Sequence, residues 1–381
     1  MANEAQHFFS PWFPAEFDPA EIPEYTAKDV LTEALKANRA EGFRYELLDR
    51  FDNPLGDLST VLSCRISGSI FNTIKTGGLL ELVETGEINY YSNRVRPVYR
   101  LYTSQGWVEW PLGVFLLASP SRLTDGKSVQ RRIEMYDKLL VLAQDKIEAS
   151  YTIAAGTKVT VAARAIIQEA GETRINITPS DEELQSANSW PPGTTRLQIV
   201  NDLLSSINYF SLYADGNGNY RGEPYVPPGQ RAPVWEFADN QEGLYLPGVG
   251  VDADYFNVPN KVILTVSNPD DALLVSIVTN EDTTSPFSYQ SRGRWITDYR
   301  QEEDATSQAV LDAKAARILA ESMQVTEAVS YDHAWLPIGL NDAVKFTNRR
   351  LELSASYSVI SQDYALKAGE LIKAKIRRVV A

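Results

Sequence analysis

The stretch WPLGVFLLASP, residues 110–120, constrains the fold more than any other part of the sequence. From Val114 to Ala118 it is apolar without a break, whereas a strand with one face in water would alternate apolar and polar residues. The run is too short to cross a membrane, and the prolines that bound it disfavour a helix. We therefore expect a β-strand that is buried on both faces, with a partner on each side.

The composition is that of a folded, acidic protein. The 381 residues are 44% apolar and 23% charged, which is enough to build two or more domains. The 36 Lys and Arg residues against 50 Asp and Glu give a net charge of -14, which disfavours tight binding to nucleic acid because phosphate contacts need cations. We see no signal peptide and no transmembrane stretch, so we expect a soluble chain made in the cytoplasm.

The pattern of short apolar stretches and turn residues changes along the chain. Residues 43–149 contain closely spaced strand patterns separated by Gly, Pro, Asn and Asp, which is typical of a β-barrel or a β-sandwich. After a stretch rich in Pro and Gly, strand patterns return in residues 251–381. The sequence therefore predicts a mainly β protein with an α+β insertion, divided into four segments: 1–42, 43–149, 150–250 and 251–381.

The third segment has a mixed pattern. A helical stripe in VTVAARAIIQEA ends at Gly171, and a second helix follows Thr194 or Thr195 as its cap. Beyond it, the residues from Asp215 to Asn219 are expected at the tip of a hairpin. We therefore predict a small α/β domain inserted between the two β regions.

Two features favour close contact with other surfaces. The N-terminal arm, residues 1–42, opens with HFFSPWFPAEFDP, and five aromatic residues between prolines suit an extended segment laid on its own chain or on another. A helix predicted from Asp304 to Met323 carries alanines on one face, and small side chains let a neighbouring backbone approach, so we expect this face to pack on a sheet. The candidate assembly contacts are Trp12, Phe13, Ala309, Ala313, Ala316 and Ala320.

Residues for nucleophilic or metal chemistry are scarce. The only histidines are His7 and His333, neither has a nucleophile motif nearby, and the single cysteine Cys64 lies in a strand pattern that suggests a core position. Two histidines and one cysteine also disfavour a zinc site. Asp215, Asn217 and Asn219 imitate the start of a calcium loop, but Tyr220 and Val226 stand where that loop needs Gly and Glu. We predict no catalytic residue, no cofactor and no metal.

The order of the segments and several short motifs resemble the baseplate hub, or tail-tip hub, proteins of tailed bacteriophages. Pro111 to Phe115 is similar to the PLG motif that family members carry in a strand near the end of their first barrel. Later, SRGRWITDY from Ser291, the alanine-rich helix and LPIGLNDAVKF are similar to the family's succession of GR, alanine helix and GD-V-V, although Leu340 and Asn341 interrupt the Gly-Asp pair.

The resemblance implies a specific architecture and role. It implies two tube-like β-barrel domains of one topology, from about Phe43 to Glu148 and from about Asn257 to Ala381, plus the inserted domain. It further implies a hollow homotrimer, a pseudo-sixfold ring that joins the tail tube or distal tail protein to a trimeric spike or fibre. Genomic DNA would pass through the lumen without specific binding, and the protein would reside at the virion tail tip.

Two other functions remain open from the residues alone. A carbohydrate-binding tail protein is favoured by 7 Trp and 19 Tyr, because aromatic faces stack on sugars when they are exposed in a concave patch. A cell-wall glycan hydrolase would need a pair of carboxylates, and acids such as Glu182 and Glu183 are available, although a solvated helix face explains them as well. We expect the aromatic rings to be buried, which favours the structural role.

Overall fold

The computed structural model divides the chain into two compact units. Unit 1 comprises Met1–Gly248 with Tyr331–Ile376, and unit 2 comprises Val249–Ser330 with Arg377–Ala381. The structure describes residues 32–84, 88–104, 106–124, 126–184, 186–240, 243–253, 256–266, 274–302, 308–322 and 325–380.

The first β region consists of eight strands, as the alternation of strand patterns and turn residues predicts. Strands β5 and β6 form the predicted hairpin, with Thr103 opposite Gly106. Cys64 is buried in β3, as its strand neighbours suggest. The strands are β1 (Glu41–Leu48), β2 (Pro54–Asp57), β3 (Val61–Ser69), β4 (Thr76–Val83), β5 (Arg94–Thr103), β6 (Gly106–Pro111), β7 (Phe115–Thr124) and β8 (Val129–Asp137).

The stretch that constrains the fold is buried only in its first half. Leu112, Gly113 and Val114 are buried ahead of β7, and within β7 Phe115 and Leu117 face the core while their neighbours are partly exposed. The strand then continues through Pro120 to Thr124, past a bulge between Ala118 and Ser121, with exposed side chains. The prediction of a strand buried on both faces is therefore wrong for β7 as a whole, because the continuous burial belongs to the turn that precedes it.

The inserted segment has a core of its own, to which both predicted helices contribute. Gly171 follows the first helix with a φ of +84°, and the Thr195 hydroxyl caps the second by accepting the N–H of Gln198. The helices are Leu139–Gln144, Val159–Glu169 and Arg196–Ser206, and the strands are β9 (Tyr151–Ile153), β10 (Ile175–Ile177), β11 (Asn188–Trp190), β12 (Tyr213–Ala214) and β13 (Tyr220–Gly222), followed by a 3-10 turn at Pro228–Gln230 and β14 (Trp235–Ala238).

The last β region also follows the predicted strands. Its strands are β15 (Gly250–Ala253), β16 (Lys261–Val266), β17 (Leu274–Thr279), β18 (Thr297–Glu302), β19 (Val325–His333), β20 (Ala343–Asn348), β21 (Leu353–Ala365) and β22 (Ile372–Val380), its helices are Tyr289–Arg292 and Gln308–Ser322, and a 3-10 turn spans Arg349–Leu351. Among the residues that the structure describes, no helix combines the length and the apolar character required to span a bilayer.

The strands of unit 1 join both β regions into one sheet. The order is β22-β21-β3-β4-β8-β7-β5-β1-β2, with β20 on β21, β14 on β20 and β6 on β5. Strand β21 makes this possible because its 13 residues serve two partners: Leu353–Ser358 pair with β20, and Ser361–Ala365 pair with β3. The two smaller sheets of the inserted segment, β10-β13-β12 and β11-β9, are separate.

The two β regions differ in strand order. The first has the order β3-β4-β8-β7-β5-β1-β2, whereas the last contributes β22, β21 and β20 to unit 1 and a separate β17-β16-β18 sheet to unit 2. The described strands form no closed barrel. The mainly β fold is confirmed. The expectation that the two regions superpose as barrels of one topology is not confirmed, because their strand orders differ and β21 joins the last region to the first in one sheet.

In unit 2 the alanine-rich helix, Gln308–Ser322, covers one face of the β17-β16-β18 sheet. Among its described side chains, three of the four buried ones are Leu or Ile, which remove more apolar area from water than the alanines of the predicted seam would. Ala313 and Ala316 are exposed, so the prediction that the alanine face packs on the sheet is wrong. The residues of this core are Val262, Leu264, Leu311, Ala315, Ile318 and Leu319.

Candidate functional site

The predicted assembly contacts divide into two groups. Trp12 and Phe13 lie outside the described residues. Ala309, Ala313 and Ala316 are exposed along the alanine-rich helix, and the side chain of Ala320 also lies outside the description. The three exposed alanines leave a smooth helix surface that a neighbouring backbone could approach closely. Their role in assembly stays a prediction.

His333 is buried among aromatic rings. Its ring centroid lies 5.3 Å from that of Phe237 and 5.4 Å from that of Tyr331, and its Nδ1 lies 2.6 Å from the carbonyl oxygen of Ala334. Burial lowers the pKa of His333 to about 4, so the imidazole is neutral at pH 7. This histidine is sealed in the core, where a substrate proton cannot reach it.

Cys64 is buried and unreactive, and the second histidine lies outside the described residues. Cys64 is buried, and burial raises the pKa of its thiol, which keeps it in the unreactive protonated form. His7 lies outside the described residues. Within the described ranges, no group of three or more His, Cys, Asp and Glu side chains is placed to hold a metal ion.

The segment that imitates a calcium loop is a hairpin turn, and the carboxylate of Asp215 accepts hydrogen bonds from within that turn. Asp215 is buried and accepts the backbone N–H groups of Asn217 and Asn219 at 3.0 and 2.9 Å. The side-chain amide of Asn219 donates to the same carboxylate at 3.0 Å. These bonds hold the turn between β12 and β13, as the predicted hairpin requires, so the acidic residue has a structural partner set.

Four buried charges connect the inserted segment to the first β region. The Lys138 ammonium lies 2.6 Å from a carboxylate oxygen of Asp52 and 2.7 Å from one of Glu172. The Arg94 guanidinium contacts the same two carboxylates, at 2.7 Å and 2.5 Å. None of the four side chains is more than 8% exposed. Two buried cations therefore alternate with two buried carboxylates in a cluster that we name the junction cluster, and the partly exposed Arg174 lies 3.7 Å from Asp52 at its edge.

The four residues of the junction cluster come from separate elements of the fold. Asp52 lies in the turn after β1, Arg94 begins β5, Lys138 follows β8 and Glu172 follows the helix Val159–Glu169. Tyr220 of β13 donates its hydroxyl to the Lys138 carbonyl at 2.7 Å. Nothing local in the sequence distinguishes these four buried charges from the many exposed ones, so the cluster has no sequence signature.

Half of the six tryptophans that the structure describes are buried. Trp110, Trp190 and Trp335 are buried, and the ring of Trp335 stacks on Tyr99 with centroids 3.6 Å apart. The expectation of buried rings is wrong for Trp107, which is exposed at the β5–β6 hairpin, and for Trp295, which is 40% exposed. Among the described aromatic side chains, ten are buried and ten are exposed, so the aromatic content is divided between the core and the surface.

A groove of about 420 Å³ lies across β3, β4 and β8. It is lined in part by Gly77 and Gly78, which bear no side chain, and by Arg65, Glu134 and Tyr136. Arg65 pairs with Asp363 beyond the groove, and the Tyr136 hydroxyl donates to Glu134. Arg65, Glu134 and Tyr136 of the groove therefore already have partners within the chain.

Comparison with solved structures relates the chain to phage tail proteins. The tail protein from Neisseria meningitidis MC58 superposes with a TM-score of 0.60 at 11% identity, over 88% of this chain and 97% of that one. The 43 kDa tail protein of prophage MuSo2 from Shewanella oneidensis gives 0.60 at 12% identity, over 89% and 98%. The lidded Francisella PdpA-VgrG complex gives 0.57 at 9% identity, over 94% of this chain and 57% of the matched chain.

Sequence comparisons add nothing to this result, since no family model and no curated protein matches the chain. The two tail proteins match over nearly their whole lengths, so the similarity covers the overall fold and not one common substructure. The resemblance found in the short motifs thereby gains support from the architecture. The chain has the fold of phage tail proteins.

Proposed function

We propose that the protein is a structural subunit of a phage tail tip or baseplate, where it forms the hub between the tail tube and the spike or fibre. The observation that carries the proposal is the match to two tail proteins over at least 88% of this chain and 97% of theirs. One similar structure is a complex of VgrG with PdpA, which supports a partner-bound, tail-associated role. The proposed location is the virion tail.

The hub is proposed to be a homotrimer that surrounds a channel. Its partners would be a tail tube or distal tail protein on one side and a trimeric spike or fibre protein on the other. Three subunits can meet a sixfold tail tube if each subunit offers two similar contact surfaces. Because the two β regions have different strand orders, these surfaces would have to be similar in shape without sharing a topology. DNA would pass without specific binding, since a net charge of -14 opposes lasting phosphate contacts.

A structural role accounts for the chemistry of the chain better than an enzymatic one. The two side chains that most often act in nucleophilic catalysis, His333 and Cys64, are buried, and their pKa values are shifted towards the neutral forms. The junction cluster uses four buried charges to connect the first β region to the inserted segment. We therefore propose that the protein acts by assembly and not by catalysis.

A reconstruction of the intact phage tail, with native mass spectrometry of the purified chain, tests this function. We expect density for this chain at the tail tip with threefold symmetry, and a complex three times the mass of one chain. Density elsewhere in the particle, or a ring with another number of copies, would contradict the proposal. A purified monomer that forms a trimer in the particle would support assembly on the neighbouring proteins.

A further inference from the structure

Unit 2 carries a basic and aromatic surface that the proposed function does not use. Two stretches, residues 256–266 and 283–297, contain three cationic residues and no acidic residue, although the whole chain has a net charge of -14. Strand β16 and the loop before β18 bring these stretches together. We name the surface the basic–aromatic patch and define it by Phe256, Lys261, Tyr289, Arg292, Arg294 and Trp295.

Cations and rings alternate in the basic–aromatic patch. The guanidinium carbon of Arg294 lies 4.4 Å from the ring centroid of Phe256, and the Lys261 ammonium lies 5.5 Å from that of Trp295. The Trp295 ring also stacks on Tyr289, with centroids 4.4 Å apart. Phe256 is 68% exposed and Trp295 is 40% exposed, so both rings reach solvent in addition to their cation contacts.

The backbone beneath the patch is held in place. The buried side chain of Asn260 donates to the Arg294 carbonyl at 2.9 Å and accepts the Ile296 N–H at 2.8 Å. The Arg292 guanidinium donates to the carbonyls of Phe256 and Val258 at 3.2 and 3.1 Å. A ligand would therefore meet a preformed surface and would not have to order it.

Two of the three cations of the patch have no acidic partner among the described residues. Within the described part of the chain, neither Lys261 nor Arg294 forms an ion pair with a carboxylate. Burial and the like charge of Arg294 both lower the pKa of Arg292. The surface therefore favours a partner that brings negative charge.

The patch continues into an apolar sheet face. Lys261 and Ile263 lie on the side of β16 opposite the buried Val262 and Leu264, which face the alanine-rich helix. Ile263 pairs in register with Ile277 of β17 and Tyr299 of β18, and both of these neighbours are exposed. The partner must therefore provide apolar or aromatic groups in addition to acids.

The N-terminal arm of this chain has both properties. Its first 31 residues, which lie outside the described ranges, contain six acidic residues and one lysine, together with the HFFSPWF aromatic run. A single strand of nucleic acid would also bring charge and rings, but it would have to approach a chain whose net charge is -14. Charge complementarity and aromatic content therefore favour the arm.

We infer that the arm of one subunit docks on the basic–aromatic patch of a second copy. Trp12 and Phe13 would pack on the rings and the open sheet face, and Glu16 and Asp18 would pair with the cations. The inference rests on the proposed function, because a homotrimer supplies the second copy. An arm that crosses to its neighbour fastens subunits together without requiring large apolar surfaces on the isolated chain.

Site-specific photo-cross-linking of the full-length protein tests the inference. A photoreactive phenylalanine analogue replaces Phe13, chains with natural and heavy nitrogen are mixed before assembly, and cross-linked peptides are read by mass spectrometry. We expect cross-links from position 13 to peptides of the basic–aromatic patch that contain one light and one heavy partner. Cross-links confined to one chain, or directed to another surface, would overturn the inference.

Charge reversal supplies the second measurement. Lys261→Glu with Arg294→Glu should lower the cross-link yield about tenfold or more, and adding Glu16→Lys with Asp18→Lys should restore it. The matched control is Arg50→Glu, because Arg50 covers the exposed ring of Phe51 at the same 4.4 Å but lies in unit 1. An equal loss in the control, or no rescue by the reversed arm, would count against docking through these charges.

Two further outcomes separate this inference from its alternatives. A trimer with threefold density but without patch cross-links would reject arm docking and leave the hub proposal intact. A short single-stranded oligonucleotide that binds the full chain, displaces the cross-link and fails to bind the Lys261→Glu, Arg294→Glu variant would assign the patch to nucleic acid instead. We expect no such displacement.

Discussion

The ammonium of Lys138 lies 2.6 Å from a carboxylate oxygen of Asp52, and both side chains are sealed from solvent, with 0% and 1% of their surfaces exposed. One residue follows the last strand of the first β region and the other lies in its first turn. Glu172 of the inserted segment completes the arrangement at 2.7 Å from the same ammonium. Transfer of these charges from water is costly, and their mutual contacts, together with the hydrogen bond from the Lys138 ammonium to the Gly218 carbonyl, offset that cost.

Removal of one junction cation should therefore destabilise unit 1 strongly. Lys138→Met keeps most of the side-chain volume but leaves two buried carboxylates with Arg94 as their one buried cation and the partly exposed Arg174 at 3.7 Å from Asp52, which we expect to cost about 3–5 kcal/mol. Urea denaturation of the variant and the parent measures the difference. The control is Arg65→Met, which breaks the exposed Arg65–Asp363 pair and should change stability little. Similar losses in both variants would mean that burial does not govern the effect.

The second prediction concerns the close approach of β3 and β4. A Cβ atom added to Gly78 would lie 2.1 Å from the carbonyl oxygen of Arg65, so the two strands would have to separate. We expect Gly78→Ala to lower stability by about 1–3 kcal/mol through this overpacking. Thermal denaturation provides the measurement, with Gly42→Ala in β1 as the control because nothing lies within 4 Å of its added Cβ. Equal melting temperatures for the two variants would refute the steric argument.

The third prediction is a pH dependence that arises from His333. Its pKa falls from an ordinary 6.5 to about 4 in the folded protein, so the unfolded chain binds a proton between these values and the folded chain does not. The stabilisation is complete above pH 6.5 and is lost as the pH falls from 6.5 towards 4, by up to about 3 kcal/mol. The stability of the parent relative to His333→Gln should decline over this window.

Comparison with the variant is necessary because a second buried group titrates in the opposite sense. Burial raises the pKa of Asp137 from 3.8 to about 7, so its contribution is present below pH 3.8 and is lost as the pH rises through 7. Asp137 titrates in both proteins. Subtracting the unfolding free energy of His333→Gln from that of the parent at each pH therefore removes the contribution of Asp137. A difference that is constant between pH 7 and pH 4 would show that His333 does not titrate as its burial requires.

Local patterns predict the elements of this fold because local physics determines them. Gly171 stops a helix, Thr195 caps the next and the Thr103–Gly106 turn closes a hairpin, each within a few residues of its own signal. The sheet order is different in kind. The pairing of Ser361–Ala365 with β3 joins residues almost 300 positions apart, and no spacing in the sequence specifies that partner.

The same distinction applies to the sites. The junction cluster brings Asp52, Arg94, Lys138 and Glu172 from four elements, so the sequence shows only scattered charges. The alanine seam fails for another reason. The periodicity of three and four describes the alanine face and the leucine face of the same helix equally well, and which face meets the sheet depends on the area that each can bury. Leu311 and Ile318 decide that choice.

The last prediction follows from this choice of face. Ala315 is fully buried against the β17-β16-β18 sheet, so Ala315→Leu should lower stability by about 1–3 kcal/mol through overpacking. Ala313 and Ala316 are exposed, and leucine at either position should change the stability of the isolated chain by less than about 0.5 kcal/mol. If the exposed alanines contact a neighbour in the assembled tail, the same two substitutions should lower the trimer fraction in native mass spectrometry while leaving the melting temperature unchanged. A loss of melting temperature in Ala313→Leu equal to that in Ala315→Leu would instead return the alanine face to the core.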